Sequence, residues 1–325
     1  MPTCYTGESM RPTLLFGFGV LLTLALFKTK GDAQPNSFSE VVKGVWFREG
    51  DLSVGHCNNT VIEMKDGLVV IDANFPSGAR AVMADIKKVS SKPVKYVFDT
   101  HHHGDHAYGN AVWTQAGATT LAYQGVADEM KRYEPARWQS TDRPDVKELK
   151  LATAEPPKQT FTKNLFVLED ETRRIEFHYF GWAHTRGDGF AYLPKEKILA
   201  TGDAAVNGPY NFMADGNIGN WPKVVASAEK TSPVYVLPGH GPRGGAEILV
   251  GQKLFFDDVL KAVGGEIKKG KKLEEVVMFD GKKPKSTSIQ VSEKARRWVG
   301  SDFAGQVAIV YHELSEKKPA GDLPH

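Results

Sequence analysis

The chain has 325 residues, of which 41% are hydrophobic and 25% are charged, with 41 Lys and Arg against 39 Asp and Glu. These proportions are typical of a globular protein and exclude intrinsic disorder, a collagen-like repeat and a coiled coil. A formal net charge of +2 gives no reason to expect nucleic-acid binding, because the basic residues cluster only among the lysines around 268–285.

The N-terminal segment has the pattern of a signal peptide. Residues 14–27 carry no charge, Arg11 precedes them, and Gly31 and Ala33 form a small-x-small cleavage site. This apolar run is shorter than a comfortable bilayer span. We therefore expect export to the periplasm or the medium with cleavage after Ala33 and no stable membrane association afterwards. An uncleaved N-terminal anchor is the alternative. Cleavage would leave Cys57 as the only cysteine, so no internal disulfide is expected.

Strands and helices are predicted to alternate along the rest of the chain. In chain order, the predicted elements are strands at 41–49 and 57–71 (a hairpin broken at 65–67), a helix at 77–91, strands at 94–98, 174–180, 190–193 and 198–201, a helix at 221–230, a strand at 234–237, a helix at 250–263 and mixed helices to about 311. Residues 129–163 are rich in Pro, Arg and charge and predict a surface insertion. Two successive runs of strands and then helices predict two packed sheets with helices outside.

A histidine-rich motif directly follows the strand predicted at 94–98. It has the form H-x-H-x-D-H, with His101, His103, Asp105 and His106 at the fixed positions. In chains of this length and composition the pattern would arise by chance in on the order of one sequence in two thousand. Imidazole and carboxylate groups in one place favour divalent metals, zinc above all. The first two histidines can face one ion, and the aspartate and last histidine can face a second.

Further metal ligands are predicted at three later places in the chain. His184, Asp203 and His240 each lie at the end of a predicted strand, in a segment that contains glycine. Glycine permits the tight turns that are needed where the backbone passes close to an ion. One motif cannot complete two metal sites, so these three residues are the candidates that complete them.

In this order, the motifs resemble those of the metallo-β-lactamase-fold superfamily of zinc hydrolases, from about Val41 to Pro242. The resemblance implies an α/β fold, a four-layer αβ/βα sandwich with C-terminal helices. Together with the signal peptide predicted at 1–33, it divides the chain into a catalytic domain at 34–265 and a C-terminal helical extension at 266–325.

The resemblance further implies two zinc ions per chain and a role for each candidate ligand. The ligands of the first ion are His101, His103 and His184. The ligands of the second ion are Asp105, His106 and His240. Asp203 bridges the two ions, and Asp105 and Asp203 are the predicted catalytic residues. Asp72 matches an aspartate of the family that orients a ligand or the backbone near the metals.

The predicted function is that of an exported zinc hydrolase acting on a small molecule. A hydroxide between the metals, available because zinc lowers the pKa of water to about 7, would attack an ester, thioester or lactam carbonyl. Aspartate at position 203 resembles glyoxalase II and the broader hydrolase branch, since two classes of true β-lactamase carry cysteine there. Two alternatives stay open: a mononuclear iron oxidoreductase of the persulfide-dioxygenase type, and a non-catalytic relative.

Residues near these ligands receive more general predictions. Tyr210 and Asn211 are candidate substrate contacts, because relatives shape the substrate pocket after the residue at position 203. Tyr133 and Trp138 form either an apolar lid or packing anchors. Cys57 is interpreted as a buried structural cysteine rather than a nucleophile.

Three residues beside the predicted ligands are assigned supporting roles. His102 is predicted to form a hydrogen bond rather than a metal bond. Arg186 and Asp188 are predicted to brace the loop that follows His184.

Overall fold

The computed structural model describes residues 37–323, in which two β-sheets lie face to face. The predicted signal peptide at 1–33 lies outside the described residues. The first sheet contains, in spatial order, β1 (Ser39–Val42), β2 (Val45–Arg48), β3 (Asn59–Glu63), β4 (Leu68–Ile71), β5 (Val94–Asp99), β6 (Thr119–Tyr123) and β7 (Gln159–Phe161). The second sheet has the spatial order β12-β11-β10-β9-β8, formed by β8 (Leu165–Glu169), β9 (Arg174–Tyr179), β10 (Gly189–Leu193), β11 (Ile198–Gly202) and β12 (Tyr235–Pro238).

Helices cover the outer faces of the two sheets. They are α1 (Pro76–Val89), α2 (Gly104–Ala107), α3 (Asn110–Gln115), α4 (Gln124–Ser140), α5 (Pro144–Lys147), α6 (Trp221–Glu229), α7 (Glu247–Lys268), α8 (Leu273–Val276) and α9 (Phe303–Glu316). Helix α1 shows why such segments become helical: Pro76 starts it, and Ala79, Val82 and Ile86 form one buried stripe at helical spacing. Across residues 37–323, no helix combines the length and the apolar character that a membrane span requires.

Three apolar layers hold the four structural layers together. Side chains from both sheets, such as Phe47, Phe98 and Phe177, fill the space between the sheets. Another cluster joins α1 and α3 to the first sheet, and a third joins α6, α7 and α9 to the second. The predicted four-layer αβ/βα sandwich with C-terminal helices is therefore confirmed.

The direction of the strands brings several strand ends to one edge of each sheet. Strands β4, β5 and β6 pair in parallel, and so do β11 and β12. Parallel neighbours place their carboxyl ends at the same edge. The residues that follow these strands are therefore neighbours in space, although up to 135 positions separate them in the sequence.

Two peripheral segments differ in detail from the sequence predictions. Residues 129–163 are not a simple surface insertion, because they include most of α4, on which Glu129, Met130, Glu134 and Trp138 are buried. The part of the predicted helical extension that is described contains the hairpin β13 (Val277–Asp280) and β14 (Lys283–Thr287). The predicted domain boundary at 265 falls inside α7.

Candidate metal centre

All seven predicted metal ligands meet where the strand ends of the two sheets converge. β5 leads into the loop that carries His101 and His103, and α2 carries Asp105 and His106. His184 lies between β9 and β10. Asp203 directly follows β11, and His240 follows β12 after one glycine. The first cluster consists of His101, His103 and His184, and the second cluster consists of Asp105, His106 and His240.

The first cluster consists of three imidazole groups. One ring nitrogen from each histidine lies within 4.8 Å of the others. His184 Nε2 is only 2.9 Å from His103 Nδ1, and the rings of His101 and His184 meet edge to face with centroids 4.6 Å apart. Catalytic zinc sites commonly have three protein ligands and leave a fourth coordination position for water or substrate. The three converging ring nitrogens fit such a site.

The second cluster combines two imidazoles with a carboxylate. Its three donor atoms also lie within 4.8 Å of one another. His240 Nε2 lies 3.0 Å from Asp105 Oδ2 and 3.4 Å from His106 Nε2. The structure thus brings together each triplet that the sequence assigned to one ion.

Asp203 lies between the two clusters. Its Oδ1 is 3.4 Å from His106 Nε2, and its Oδ2 is 3.9 Å from His184 Nε2 and 3.5 Å from His240 Nε2. The carboxylate therefore contacts ligands of both clusters. This position is compatible with the bridging role that the family resemblance implies for Asp203.

Buried polar atoms of the first cluster and of Asp203 also fit bound metal ions. Among residues 37–323, His101 Nε2 and Asp203 Oδ1 are buried and form no hydrogen bond, which is unusual for buried polar atoms. Burial lowers the pKa of His184 to about 3 and the pKa of His101 well below its ordinary value. Burial therefore favours the neutral form of both rings, which is the form in which imidazole binds a metal.

Four of the five histidines of the two clusters are oriented through the ring nitrogen that faces away from the centre. The pairs are His101 Nδ1 with Thr100 Oγ1 at 3.0 Å, His103 Nε2 with Asp215 at 2.8 Å, His106 Nδ1 with Asp72 at 2.9 Å and His184 Nδ1 with the Phe212 carbonyl at 2.9 Å. Such partners fix the tautomer and the ring orientation of metal-binding histidines.

Asp72 orients the metal loop as predicted. Besides its contact with His106, it accepts a hydrogen bond from the Thr100 amide at 2.8 Å. Asp72 has a φ of 69°, in the left-handed region that few non-glycine residues occupy. The backbone there turns so that one carboxylate reaches both the loop and its histidine.

Sequence reasoning missed two residues that contact the motif. Asp215 is buried and contacts His102 and His103, while Arg137 of α4 contacts Asp215 and His102. Burial raises the pKa of Asp215, but the hydrogen bonds from its neighbours outweigh burial and hold the pKa well below its ordinary value. No spacing or motif connects Asp215 with His103, which lies 112 positions earlier.

The two clusters open into a cleft of about 410 Å³. The cleft is lined by His103, Gly104, Asp105, Arg137, Asp203, Tyr210, Phe212 and His240. Of the two predicted substrate contacts, Tyr210 lines the cleft. Asn211 does not, because its side chain is buried and accepts a hydrogen bond from Gln252 at 2.6 Å.

The structure also gives the surroundings of the other residues that the sequence singled out near the site. Trp138 is a packing anchor, since it is buried against Tyr108 with ring centroids 4.9 Å apart. Asp188 braces the loop around His184, accepting hydrogen bonds from the amides of Ala183 and Thr185. Cys57 is fully buried, and burial raises its pKa to about 12, which is consistent with a structural thiol.

Comparison with known proteins assigns the family. The sequence model of the metallo-beta-lactamase superfamily matches residues 52–245, which is more than half of the chain. The chain belongs to the metallo-beta-lactamase superfamily. Membership in a superfamily of metal-dependent hydrolases, as the sequence predicted, is confirmed, and the His/Asp clusters are of the zinc-binding kind typical of that superfamily.

Individual relatives agree with this assignment. The type 2 metallo-beta-lactamase of Bacteroides fragilis is 30% identical over 111 residues, which span 33% of this chain and 44% of that protein. Among solved structures, the metallo-beta-lactamase FIM-1 from Pseudomonas aeruginosa, in its mono-zinc form, has 19% identity and a TM-score of 0.55, covering 70% of this chain and 96% of its own. The inverting sec-alkylsulfatase Pisa1 from Pseudomonas sp. has 19% identity and a TM-score of 0.64, covering 85% of this chain and 50% of its own. At these identities the structures show a shared fold.

The candidate metal centre leaves no space for a side chain at a glycine beside Asp203, which gives a testable prediction. A Cβ atom at Gly239 would lie 2.1 Å from Asp203 Oδ1. We expect Gly239→Ala to displace this carboxylate and to weaken zinc binding by about 10-fold or more, as measured by titration against a competing chelator. Gly265→Ala, where an added Cβ meets nothing within 4 Å, is the matched control. Equal zinc affinity in both variants would contradict the tight fit at Gly239.

Proposed function

We propose that the protein is an exported binuclear zinc hydrolase that cleaves an ester, thioester or lactam carbonyl bond of a small molecule. The observation that carries this proposal is the position of Asp203 between two complete three-donor clusters. Seven ligands are more than one ion with four to six ligands requires, which favours two ions.

The two aspartates of the centre have different roles in the proposed reaction. Bound zinc supplies a nucleophile at neutral pH, because it lowers the pKa of water to about 7, and it polarises the carbonyl group. Asp203 offsets part of the metals' charge and holds the two sites close together. Asp105 is the more accessible of the two carboxylates, with 24% of its side chain exposed against 7% for Asp203. We therefore assign the transfer of protons toward the cleft to the Asp105 carboxylate.

The cleft supplies apolar and polar contacts for a substrate. Phe212 is 50% exposed and lies edge to face against His103, with ring centroids 5.3 Å apart. An exposed aromatic ring beside metal ligands suits an apolar substrate group. The Tyr210 hydroxyl is the candidate donor to a carbonyl or carboxylate oxygen. We do not propose Asn211 as a substrate contact, because its buried side chain accepts a hydrogen bond from Gln252.

A substrate panel tests the proposal directly. Purified protein would be assayed with p-nitrophenyl esters, S-lactoylglutathione, lactones and a chromogenic cephalosporin. A secondary alkyl sulfate is included in the panel because of the similarity to the alkylsulfatase structure. That similarity covers 85% of this chain, whereas the similarity to FIM-1 covers 70%. We expect zinc-dependent hydrolysis of at least one carbonyl compound. A protein active only with bound iron and a persulfide, or inactive on the whole panel, would contradict the proposal.

Export gives a separate prediction. We expect N-terminal sequencing of secreted or periplasmic protein to start at Gln34, because the apolar run at 14–27 precedes the Gly31-x-Ala33 site. A matched variant, Ala33→Leu, should block processing, since cleavage requires a small residue there. An intact N-terminus recovered with the membrane fraction would favour the uncleaved anchor.

A further inference from the structure

A buried carboxylate connects the first cluster to helix α4. Asp215 lies between β11 and α6, and its side chain is buried. It accepts a hydrogen bond from His103 Nε2 at 2.8 Å. The guanidinium of Arg137 reaches both of its oxygens, with Nη1 2.8 Å from Oδ2 and Nη2 2.9 Å from Oδ1. His103, whose Nδ1 faces His184, is therefore held from its far side by an aspartate that an arginine holds in turn.

This group resembles a third metal site but has the chemistry of a hydrogen-bond network. His102, His103 and Asp215 place their donor atoms within 4.8 Å of one another. The cationic guanidinium of Arg137 already lies among them, 3.2 Å from His102 Nε2 and 2.8 Å from Asp215 Oδ2. A metal ion there would meet another positive charge at contact distance. The guanidinium therefore takes the place of a cation in this group.

Helix α4 holds Arg137 in place through neighbouring side chains. The Tyr133 ring stacks on His102 with centroids 5.6 Å apart, and the Arg137 guanidinium lies 4.5 Å from the centre of the Tyr133 ring. Glu134, three positions earlier on the helix, places its Oε1 3.9 Å from Arg137 Nη1 and is itself held by a hydrogen bond from the Tyr108 hydroxyl. These contacts restrict a side chain that would otherwise be flexible.

We propose that Asp215 and Arg137 are positioning residues of the first metal site. The Asp215 carboxylate accepts a hydrogen bond from His103 Nε2–H and so keeps the ring proton on Nε2. The lone pair on Nδ1 is then available to bind an ion. Arg137 fixes the carboxylate, because its planar fork binds both oxygens. Through this pair, helix α4 determines the geometry of His103. The role rests on the proposed function, since it requires zinc at the first cluster.

Zinc titration of variants tests this role without depending on a substrate. Asp215→Asn removes the charge, and Asp215→Leu also removes the acceptor, so their zinc affinity at the first cluster should fall by about 10-fold and about 100-fold respectively. Arg137→Met should show a loss within this range. Arg137→Lys should recover part of the affinity, because lysine keeps the charge but lacks the fork. Affinities would be measured against a chromogenic competing chelator.

Two further variants identify which site responds. His184→Ala removes a ligand of the first cluster, so the zinc that remains reports on the second cluster. In this background Asp215→Asn should cause no additional loss. Asp85→Asn is the matched structural control, because Asp85 is also a buried carboxylate paired with arginine, 3.0 Å from Arg48 Nε. It should lower the thermal midpoint and leave both zinc affinities unchanged.

The outcomes separate this role from the proposed function. Wild-type protein that binds no zinc would overturn both. Wild-type protein that binds two zinc ions, with unchanged affinities in Asp215→Leu and Arg137→Met, would overturn the positioning role alone. The same conclusion would follow if Asp215→Asn weakened the zinc that remains in His184→Ala. If Asp215→Leu does not fold, Arg137→Lys decides, and wild-type affinity at both clusters in that variant would count against the role.

Discussion

Asp203→Asn should lose the zinc ion of the second cluster first and should lose catalytic activity with it. The substitution keeps the size and shape of the side chain but removes the charge that faces His106, His184 and His240. Loss of a residue that only orients a ligand costs about 10- to 100-fold in metal affinity, and loss of a bridging ligand should exceed about 100-fold. The fold should persist, since the cores of the two sheets are built from other side chains.

Asp99→Asn is the matched control for this experiment. Asp99 is also a buried aspartate at a strand end near the site, and it accepts a hydrogen bond from Asn110 at 2.7 Å. Burial raises its pKa well above the ordinary value, and its carboxyl group belongs to none of the groups within residues 37–323 that could hold a metal ion. Zinc content should therefore stay at the wild-type level. Asp203→Asn protein with two zinc ions at wild-type affinity and unchanged turnover would refute the bridging role.

Removal of the metal should abolish activity and lower thermal stability. The ligands come from separate strand ends, and their nitrogen and oxygen atoms lie only 2.9 to 3.9 Å apart, so bound ions would connect these strand ends. At a free zinc concentration 100 times the Kd, each occupied site stabilises the folded state by about 2.7 kcal/mol. Dialysis against a chelator should therefore lower the thermal midpoint, and added zinc should restore both activity and midpoint.

Magnesium provides the control for the chelation experiment. Magnesium prefers oxygen ligands, whereas five of the seven ligands are imidazoles, so magnesium should restore neither property. Full activity in protein depleted of metal would contradict any metal-dependent mechanism.

The metal ligands could be predicted because each follows a strand in a short, fixed pattern. His101, His103, Asp105 and His106 lie within six positions of one another, and β5 directs them all to one sheet edge. Asp203 and His240 follow β11 and β12, whose parallel pairing makes them neighbours. Hydrophobic runs reveal such strands, so the ligands and the layered fold follow from local patterns.

The support for the metal loop could not be predicted, because it depends on tertiary packing of polar groups. Helix α4 buries Glu129 and Glu134, so its hydropathy pattern resembles that of a solvated segment. The contact between Arg137 and Asp215 joins positions 78 residues apart and leaves no periodic signal. The hairpin of β13 and β14 could not be predicted for a similar reason, because its lysine-rich second strand lacks the alternating buried residues that indicate a strand.

Metal analysis of the purified protein tests the central claim, that the two clusters each hold zinc. Elemental analysis by mass spectrometry, combined with the protein concentration, gives the number of each metal per chain. The account predicts two zinc ions per chain in active protein after gentle purification. One tightly bound iron ion per chain, with full activity and no zinc, would contradict it.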